Sequence, residues 1–327
     1  MPFSPYTRWP CYGDGSLGDV SVSGTDVDHK ATVTLYGPKC YRNLTIGEFG
    51  VLQAPTTGWG PLLLMCSGTL TVAGHISADA VAEIYDSNQG GWAGNGGYLN
   101  GSTGTYRNGY APQLGIGKGN GGLAPRWAFF PVLGGGGGCG TNGQVAVGSG
   151  GSSTAADFGA TGLTVPPLHV YGDLSAVSGS GHGSGAVGAS GTSVITAGHT
   201  LDEQADGTFV LACGVGGGCG GDNVNQDSSY GKGGAGGGAI LICARRIIVT
   251  GSISANGQNG LPSTVAGCGG GGGAGGGGIF LFCECYTNTG TVAANGGAGG
   301  AKAAGDATTA SAGGAGANGI VRIWRAA

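Results

Sequence analysis

Glycine-rich tracts set between short aliphatic runs constrain this chain more than any other feature. The main tracts are 134–138, 216–221 (broken by Cys219), 231–238, 267–278, 296–300 and 313–319. They bring glycine to 80 of 327 residues, several times the usual ~7 %. Glycine has no side chain to bury and loses much entropy on ordering. Such tracts therefore either stay flexible as linkers or are ordered by their backbones. Linkers are usually rich in serine and other polar residues, whereas these contain glycine with a little Ala and Cys and alternate with apolar runs. That balance favours extended polyglycine-II, the threefold relative of polyproline II, whose N–H and C=O groups bond between neighbouring tracts. Collagen is excluded, because no Gly-X-Y period is sustained and only 12 prolines occur.

The apolar runs belong to a repeat. The clearest unit runs from Ala239 to Gly257: Ile240-Leu241-Ile242-Cys243, then Ile247-Ile248-Val249, then Gly251-Ser252-Ile253-Ser254-Ala255-Asn256-Gly257. A second begins at Ile279 and ends at Asn295-Gly296, an offset of 39 that also carries Gly251 onto Gly290. A third start, Ile320-Val321-Arg322-Ile323-Trp324, follows near the end of the sequence. An earlier copy at an offset of 177 sets Cys66 on Cys243, Gly74 on Gly251, His75 on Ser252, Ile76 on Ile253 and Ala78 on Ala255. Each unit reads as a buried strand, a turn and a second short strand, and Asn-Gly is expected to reverse the chain through positive φ. Stacked units of this kind form a solenoid, since none can bury its apolar face alone. The fold class expected is mainly β, a β-solenoid-like stack of strands with packed polyglycine-II segments and little helix. Residues 77–85 are the best helical candidate.

Charge and hydropathy exclude several functions. Lys and Arg total 13 and the net charge is −4, which gives no basic patch for nucleic acid. Hydrophobic residues reach 40 %, against ordinary disorder. No apolar run approaches the ~20 residues of a membrane span, and no secretory signal is visible at the start of the sequence. The ten cysteines form no Cys-x-x-Cys pair, which disfavours zinc. Cys66, Cys243 and Cys283 follow aliphatic runs and read as small buried residues. Cys139, Cys219 and Cys268 lie within glycine.

Catalytic chemistry finds little purchase. The carboxylate groups Asp19/Asp26/Asp28, Asp79/Glu83/Asp86, Asp202/Glu203/Asp206 and Asp222/Asp227 lie in polar stretches and read as solvated turns rather than a glycosidase pair. The 202–207 stretch matches a calcium loop only in part. His75 reads as a turn residue. Gly181-His182-Gly183-Ser184-Gly185 has the letters of a nucleophile elbow without a strand before it. Asn43-Leu44-Thr45 is a glycosylation sequon by letter alone. The chain is read as no enzyme, with no metal and no cofactor.

The combination of aliphatic run, Gly-Ser-Ile-Ser-Ala-Asn-Gly and glycine tract resembles the glycine-rich virion surface proteins of tailed bacteriophages, among them tail-fibre adhesins with polyglycine-II tracts. Residues 41–52 look like an opening β-helical coil of such proteins, and the resemblance covers roughly 30–135 and 205–327. It implies a structural protein made in the host cytoplasm and located in the virion, a receptor-binding tail-fibre or tail-tip adhesin first. A head-decoration or capsid-fibre protein is second, and a tailspike glycan depolymerase is the competing class. The partners implied are other virion proteins and a bacterial surface receptor, protein or glycan, with self-association into a homo-oligomer and neither nucleic acid nor membrane insertion. A glycine-rich antifreeze protein would show a more regular Gly-x-x repeat and fewer bulky strands.

Three regions follow from this reading: a β region with glycine- and aromatic-rich loops (1–135), a Gly/Ser/Ala-rich insertion or lobe (136–208) and a glycine-rich repeat region (209–327). Trp92, Tyr98, Tyr106 and Tyr110 lie in a glycine-rich stretch of the first, and Trp127, Phe129 and Phe130 follow. Such rings either contact a receptor or fill the core of a chain short of large side chains. The first four are the candidate receptor-binding residues.

Overall fold

The computed structural model describes residues 12–28, 30–35, 38–54, 62–80, 231, 233–264, 270–303 and 312–325, with the backbone of 130–132 and 212–214. Within them the protein is mainly β-strand with almost no helix, and the strand pairs run parallel. The strands are β1 (Asp19–Val22), β2 (Ala31–Thr34), β3 (Lys39–Tyr41), β4 (Asn43–Ile46), β5 (Gly50–Gln53), β6 (Leu62–Val72), β7 (His75–Ser77) and β8 (Phe130–Val132). They continue with β9 (Ala212–Gly214), β10 (Ala239–Val249), β11 (Ser252–Ser254), β12 (Gly278–Cys283), β13 (Cys285–Asn288), β14 (Thr291–Ala293) and β15 (Ile320–Arg325). The larger sheet has the order β1-β4-β6-β10-β12-β15, with β3 also on β6 and β13 also on β10. The smaller has the order β14-β11-β7-β5-β2, and β8 pairs with β9.

Each unit places one strand or a strand pair in the larger sheet, turns a corner, and places a short strand in the smaller. β6 leads to β7, β10 to β11, and β12–β13 to β14. The corners lie directly on one another. Gly251 donates its N–H to Val72 O at 2.9 Å, and Gly290 donates to Val249 O at 3.2 Å. A β-carbon on Gly251 would overlap the carbonyl of Gly74, and one on Gly290 the carbonyl of Gly251. Glycine recurs here because backbone meets backbone, a demand of space and not of φ.

The register follows the sequence offset of 39: Ile240 pairs with Ile279, Ile242 with Leu281, and Ile253 with Val292. The offset of 177 holds only from Arg246↔Thr69 onward, including Ile253↔Ile76. Upstream the pairing slips by one, so Cys66 faces Ala244, and Cys243 faces Met65. The expected pairing of Cys66 with Cys243 is thereby corrected. The cause is an irregularity at Ser67–Gly68, an extra residue on β6 between Cys66 and Thr69.

The core between the two sheets holds Leu44, Leu70, Ile76, Ile242, Ile253 and Leu281. Burying each such side chain contributes roughly 1.5–3 kcal/mol. A second cluster, with Phe280, Phe282, Cys243 and Ile320, covers the other face of the larger sheet. β12 is buried along its whole length, which is why its sequence is an unbroken apolar run and not an alternation. β9 approaches β12 within 8 Å between Cα atoms.

The tract 270–277 beside these sheets is buried, and it and its neighbouring tracts are bonded to one another at every third residue. In 270–277, the N–H groups of Gly271, Ala274 and Gly277 donate to Leu261, Gln258 and Ala255, at 3.0, 3.0 and 2.7 Å. Gly273 and Gly276 donate to Gly314 and Ala317, at 2.8 and 2.9 Å. The carbonyls of Gly272 and Gly275 accept from Gly234 and Gly237, and those of Gly271 and Ala274 from Gly300 and Gly297. One tract thus contacts four others, two parallel to it and two antiparallel.

Two further expectations are corrected. Among the described residues positive φ is confined to Gly13, Gly15 and Gly18, so Asn256-Gly257 and Asn295-Gly296 are not reversing turns. Their asparagines reach sideways instead: Asn256 Oδ1 accepts from Asn295 N–H at 2.8 Å, Asn259 Oδ1 from Ala298 N–H at 2.8 Å, and Asn318 Oδ1 from Gly296 N–H at 3.0 Å. The helical candidate fails at its start, because Ser77 closes β7 and Ala78–Ala80 is non-helical. Ala78 and Ala80 donate to Ser254 O and Asn256 O, and those interstrand bonds hold the segment extended.

Candidate functional site

Alternation along β7 points Ile76 into the core and leaves His75 and Ser77 on the outer face. The register sets Ser252 beside His75 and Ser254 beside Ser77. His75 is therefore a strand residue and not the turn residue expected from sequence. Its Nδ1 lies 2.6 Å from Ser252 Oγ, and its Nε2 lies 3.2 Å from Ser254 Oγ. Ser254 donates its hydroxyl to Asp79 Oδ2 at 2.7 Å, and Asn256 N–H donates to Asp79 Oδ1 at 2.6 Å. Because the Ser254 proton is committed to Asp79, the ring presents Nε2–H to Ser254 Oγ.

Asp79 is accordingly no solvated turn residue. Burial pushes its carboxyl pKa up, but the His75 ring, the Asn256 N–H and the Ser254 hydroxyl outweigh that and hold it below the ordinary value of 3.8. The His75–Asp79 separation is 3.8 Å, so the serine mediates their contact. Sequence reasoning set His75 on Ser252, took Asp79 for a solvated turn residue and missed Ser254. The signal available was the same offset, which carries Ser77 onto Ser254 and brings the extended 78–80 segment beside Asn256.

This polar seam lies at the root of the long stretch between β7 and β10. Gly238 N–H donates to Ala78 O at 2.8 Å, so the segments that flank this stretch are hydrogen-bonded to each other. Ser252 beside His75 is half of a nucleophilic pair. The amides of Ser252 itself and of the preceding residue are committed, however: Ser252 N–H to Gly74 O at 2.9 Å and Gly251 N–H to Val72 O at 2.9 Å. Neither can hold an oxyanion, and the arrangement is suited to clamping two units together.

A second polar cluster sits at the first unit. Arg42 grips Asp19 with two bonds, Nε to Oδ1 at 2.7 Å and Nη2 to Oδ2 at 2.6 Å, and Asn43 Nδ2 adds one at 2.9 Å. These bonds, Arg42 first, hold the Asp19 pKa at about 2. Asn43 Oδ1 also accepts Thr69 N–H at 2.8 Å, so the sequon asparagine is occupied in joining units. Cys66, Cys243 and Cys283 are buried and Cys285 is exposed. Burial pushes Cys66 up to about 12 and Cys283 up to about 11. No group of three or more metal-ligating side chains occurs among the described residues. Trp92, Tyr98, Tyr106 and Tyr110 lie outside the described residues, as does the 136–208 region. Comparisons with protein-family models, with characterised proteins and with solved structures found no match.

Proposed function

We propose that this chain is a non-enzymatic surface protein of a tailed-phage virion, a receptor-binding tail-fibre or tail-tip adhesin. In this reading it is a β-solenoid braced by a polyglycine-II bundle. The constant offset of 39 between parallel strands supports the solenoid. The three-residue hydrogen-bond period supports polyglycine-II, which has three residues per turn.

The observation that carries the functional reading is the root of the stretch between β7 and β10. A frame that holds the chain as far as Ala80 and again from the 233–238 tract, with Gly238 N–H on Ala78 O at 2.8 Å, suits the display of binding residues from the stretch between. Trp92, Tyr98, Tyr106 and Tyr110 fall in that stretch, and Tyr and Trp most often carry binding energy. Replacing Tyr98 and Tyr106 by Ala is expected to leave particles assembled and to cut adsorption to host cells at least ~10-fold, equivalent to ~1.4 kcal/mol. Normal adsorption by intact particles, with a C-terminal label seen on the head by electron microscopy, would replace the adhesin by a head-decoration protein. Release of reducing ends from host polysaccharide would replace it by a depolymerase.

A further inference from the structure

The outward faces of the two sheets differ in what their side chains already touch. On the smaller sheet, His75, Ser252, Ser254 and Asp79 bond one another, and Gln53 Nε2 donates to Thr34 Oγ1 at 3.0 Å. Where β10 meets β12, the outward residues Cys243, Phe280 and Phe282 are buried. The remaining outward face is carried by β4, the second halves of β6 and β10, and β13. Thr45, Thr71, Ile248 and Thr287 follow one another across it in register, and Thr69 beside Arg246 belongs to the next row. Thr45, Thr287, Arg245 and Arg246 are exposed, and Thr69, Thr71 and Ile248 are half-buried. Among the described residues, none of these threonine hydroxyls or guanidinium groups has a hydrogen bond or an ion pair.

The two arginines stand there because β10 breaks step. Ala244 and Ile247 are both buried in the core, and both positions between them are exposed. Glu284 gives its N–H to Arg245 O at 2.9 Å, but its carboxylate pairs with neither arginine. Arg42 differs, because Asp19 takes its charge. Two adjacent uncompensated guanidinium groups thus border a row of free hydroxyls. A guanidinium is a planar fork that grips a carboxylate or phosphate with two bonds. A hydroxyl both donates and accepts, as contact with sugar hydroxyls requires. Successive strands lie about 4.8 Å apart, so a small ligand would meet one or two of them and an extended polymer would meet all. Two arginines are too few for duplex DNA, with a charge every ~1.7 Å. Ile248 alone offers too little apolar surface to anchor a protein.

We propose that this face binds an anionic polysaccharide, with carboxylate or phosphate groups on Arg245 and Arg246 and sugar hydroxyls on the threonine row. It rests on the adhesin reading, which supplies the host surface as the source of the polymer. Affinity electrophoresis of the full chain through gels holding alginate, a poly(glycerol phosphate) teichoic acid or dextran separates carboxylate, phosphate and neutral polymers. Retardation by at least one of the two polyanions, and not by dextran, is expected. Arg245→Gln with Arg246→Gln should weaken it at least ~10-fold. Thr45→Val with Thr71→Val keeps the side-chain shape and should weaken it ~3-fold or more. Arg322→Gln with Arg325→Gln removes the same charge elsewhere and should leave it unchanged. Retardation by neither polyanion, or retardation indifferent to the Arg245 and Arg246 change, would overturn the proposal. So would loss in that variant with none in the threonine variant, the mark of charge alone. Host adsorption separates the two readings. Polyanion binding lost with Arg245 and Arg246 while particles adsorb normally would keep this binding face and remove its role in attachment. Adsorption that depends on Tyr98 and Tyr106, with neither polyanion bound, would keep the adhesin and remove this face.

Discussion

Asn256 Oδ1 accepts the backbone N–H of Asn295 at 2.8 Å, one repeat of 39 residues away. Asn259 does the same for Ala298. These side chains finish the outer row of the glycine tracts, where among the described residues no further tract supplies a carbonyl to those amides. Replacing Asn256 and Asn259 together by Ala should lower stability by roughly 0.5–1.5 kcal/mol per bond. Replacing both by Asp keeps the acceptors and should cost far less. Urea melts of the two double variants distinguish the cases, and equal losses would mean that the bonds contribute nothing specific.

Gly273 is a sharper probe of the tracts. It has no positive φ, so in a free linker Gly273→Ala would be neutral or stabilising by ~0.4–1 kcal/mol. Here its β-carbon would overlap the carbonyl of Gly297, and the expected effect is a loss of about 1–3 kcal/mol. The sign of the change in melting temperature decides, with the exposed Ala298→Ser as a control expected within ~0.5 kcal/mol of the parent.

Ile242 is fully buried between Leu64 and Leu281 in adjacent strands. Ile242→Asp loses its ~1.5–3 kcal/mol of burial and leaves an unpaired carboxylate in the core. The variant should fail to give a protease-resistant soluble product. Limited proteolysis reads this directly, and resistance equal to the parent would contradict the register.

Asp79 makes stability depend on acidity. Its pKa is depressed in the folded protein, so the folded state binds fewer protons than the unfolded chain near that pKa. The contribution is complete above the ordinary value of 3.8 and disappears as pH falls through the depressed one. Thermal melts from pH 7 to pH 2 should show the parent losing more stability at the acid end than Asp79→Asn, with parallel curves at higher pH. Parallel curves throughout would remove the carboxylate from the clamp.

The thiols should divide by burial. Cys285 is exposed, whereas Cys66, Cys243 and Cys283 are buried, with Cys66 and Cys283 pushed up to about 12 and 11. Brief alkylation of the native protein followed by peptide mass analysis should label Cys285 and spare those three until denaturant is added. Early labelling of Cys66 would mean that the first units open readily.

The pairing of Ile240 with Ile279 was legible because β10 and β12 keep one residue count from strand to corner. The pairing of Cys66 was not. Matching it to Cys243 by letter hides the residue that β6 adds at Ser67–Gly68, and only the neighbouring strands reveal that slip. Asn-Gly misled for a different reason: the same dipeptide makes a hairpin turn in isolation, but between packed tracts its side chain finds a neighbour's amide first. The spacing of Asn256 and Asn259 by three, with Asn295 a repeat later, was the available sign of that role. The contact of Asp79 with Ser254 joins residues 175 apart, and a pattern of apolar residues carries no information about a polar pair on the outer face.

Four Asn-Gly dipeptides, at 256, 259, 295 and 318, lie in the glycine tracts. This is the pair at which polypeptides age fastest, because the glycine nitrogen attacks the asparagine side chain and releases ammonia. Here each such nitrogen is held by an acceptor: Gly257 by Asn295 O at 2.8 Å, Gly260 by Ala298 O at 2.8 Å, Gly319 by Ala294 O at 2.6 Å and Gly296 by Asn318 Oδ1 at 3.0 Å. The bonds that assemble the tracts also stop this chemical clock. The molecule's shelf life is therefore set by how often the tracts part, and accumulated isoaspartate would serve as a record of that opening.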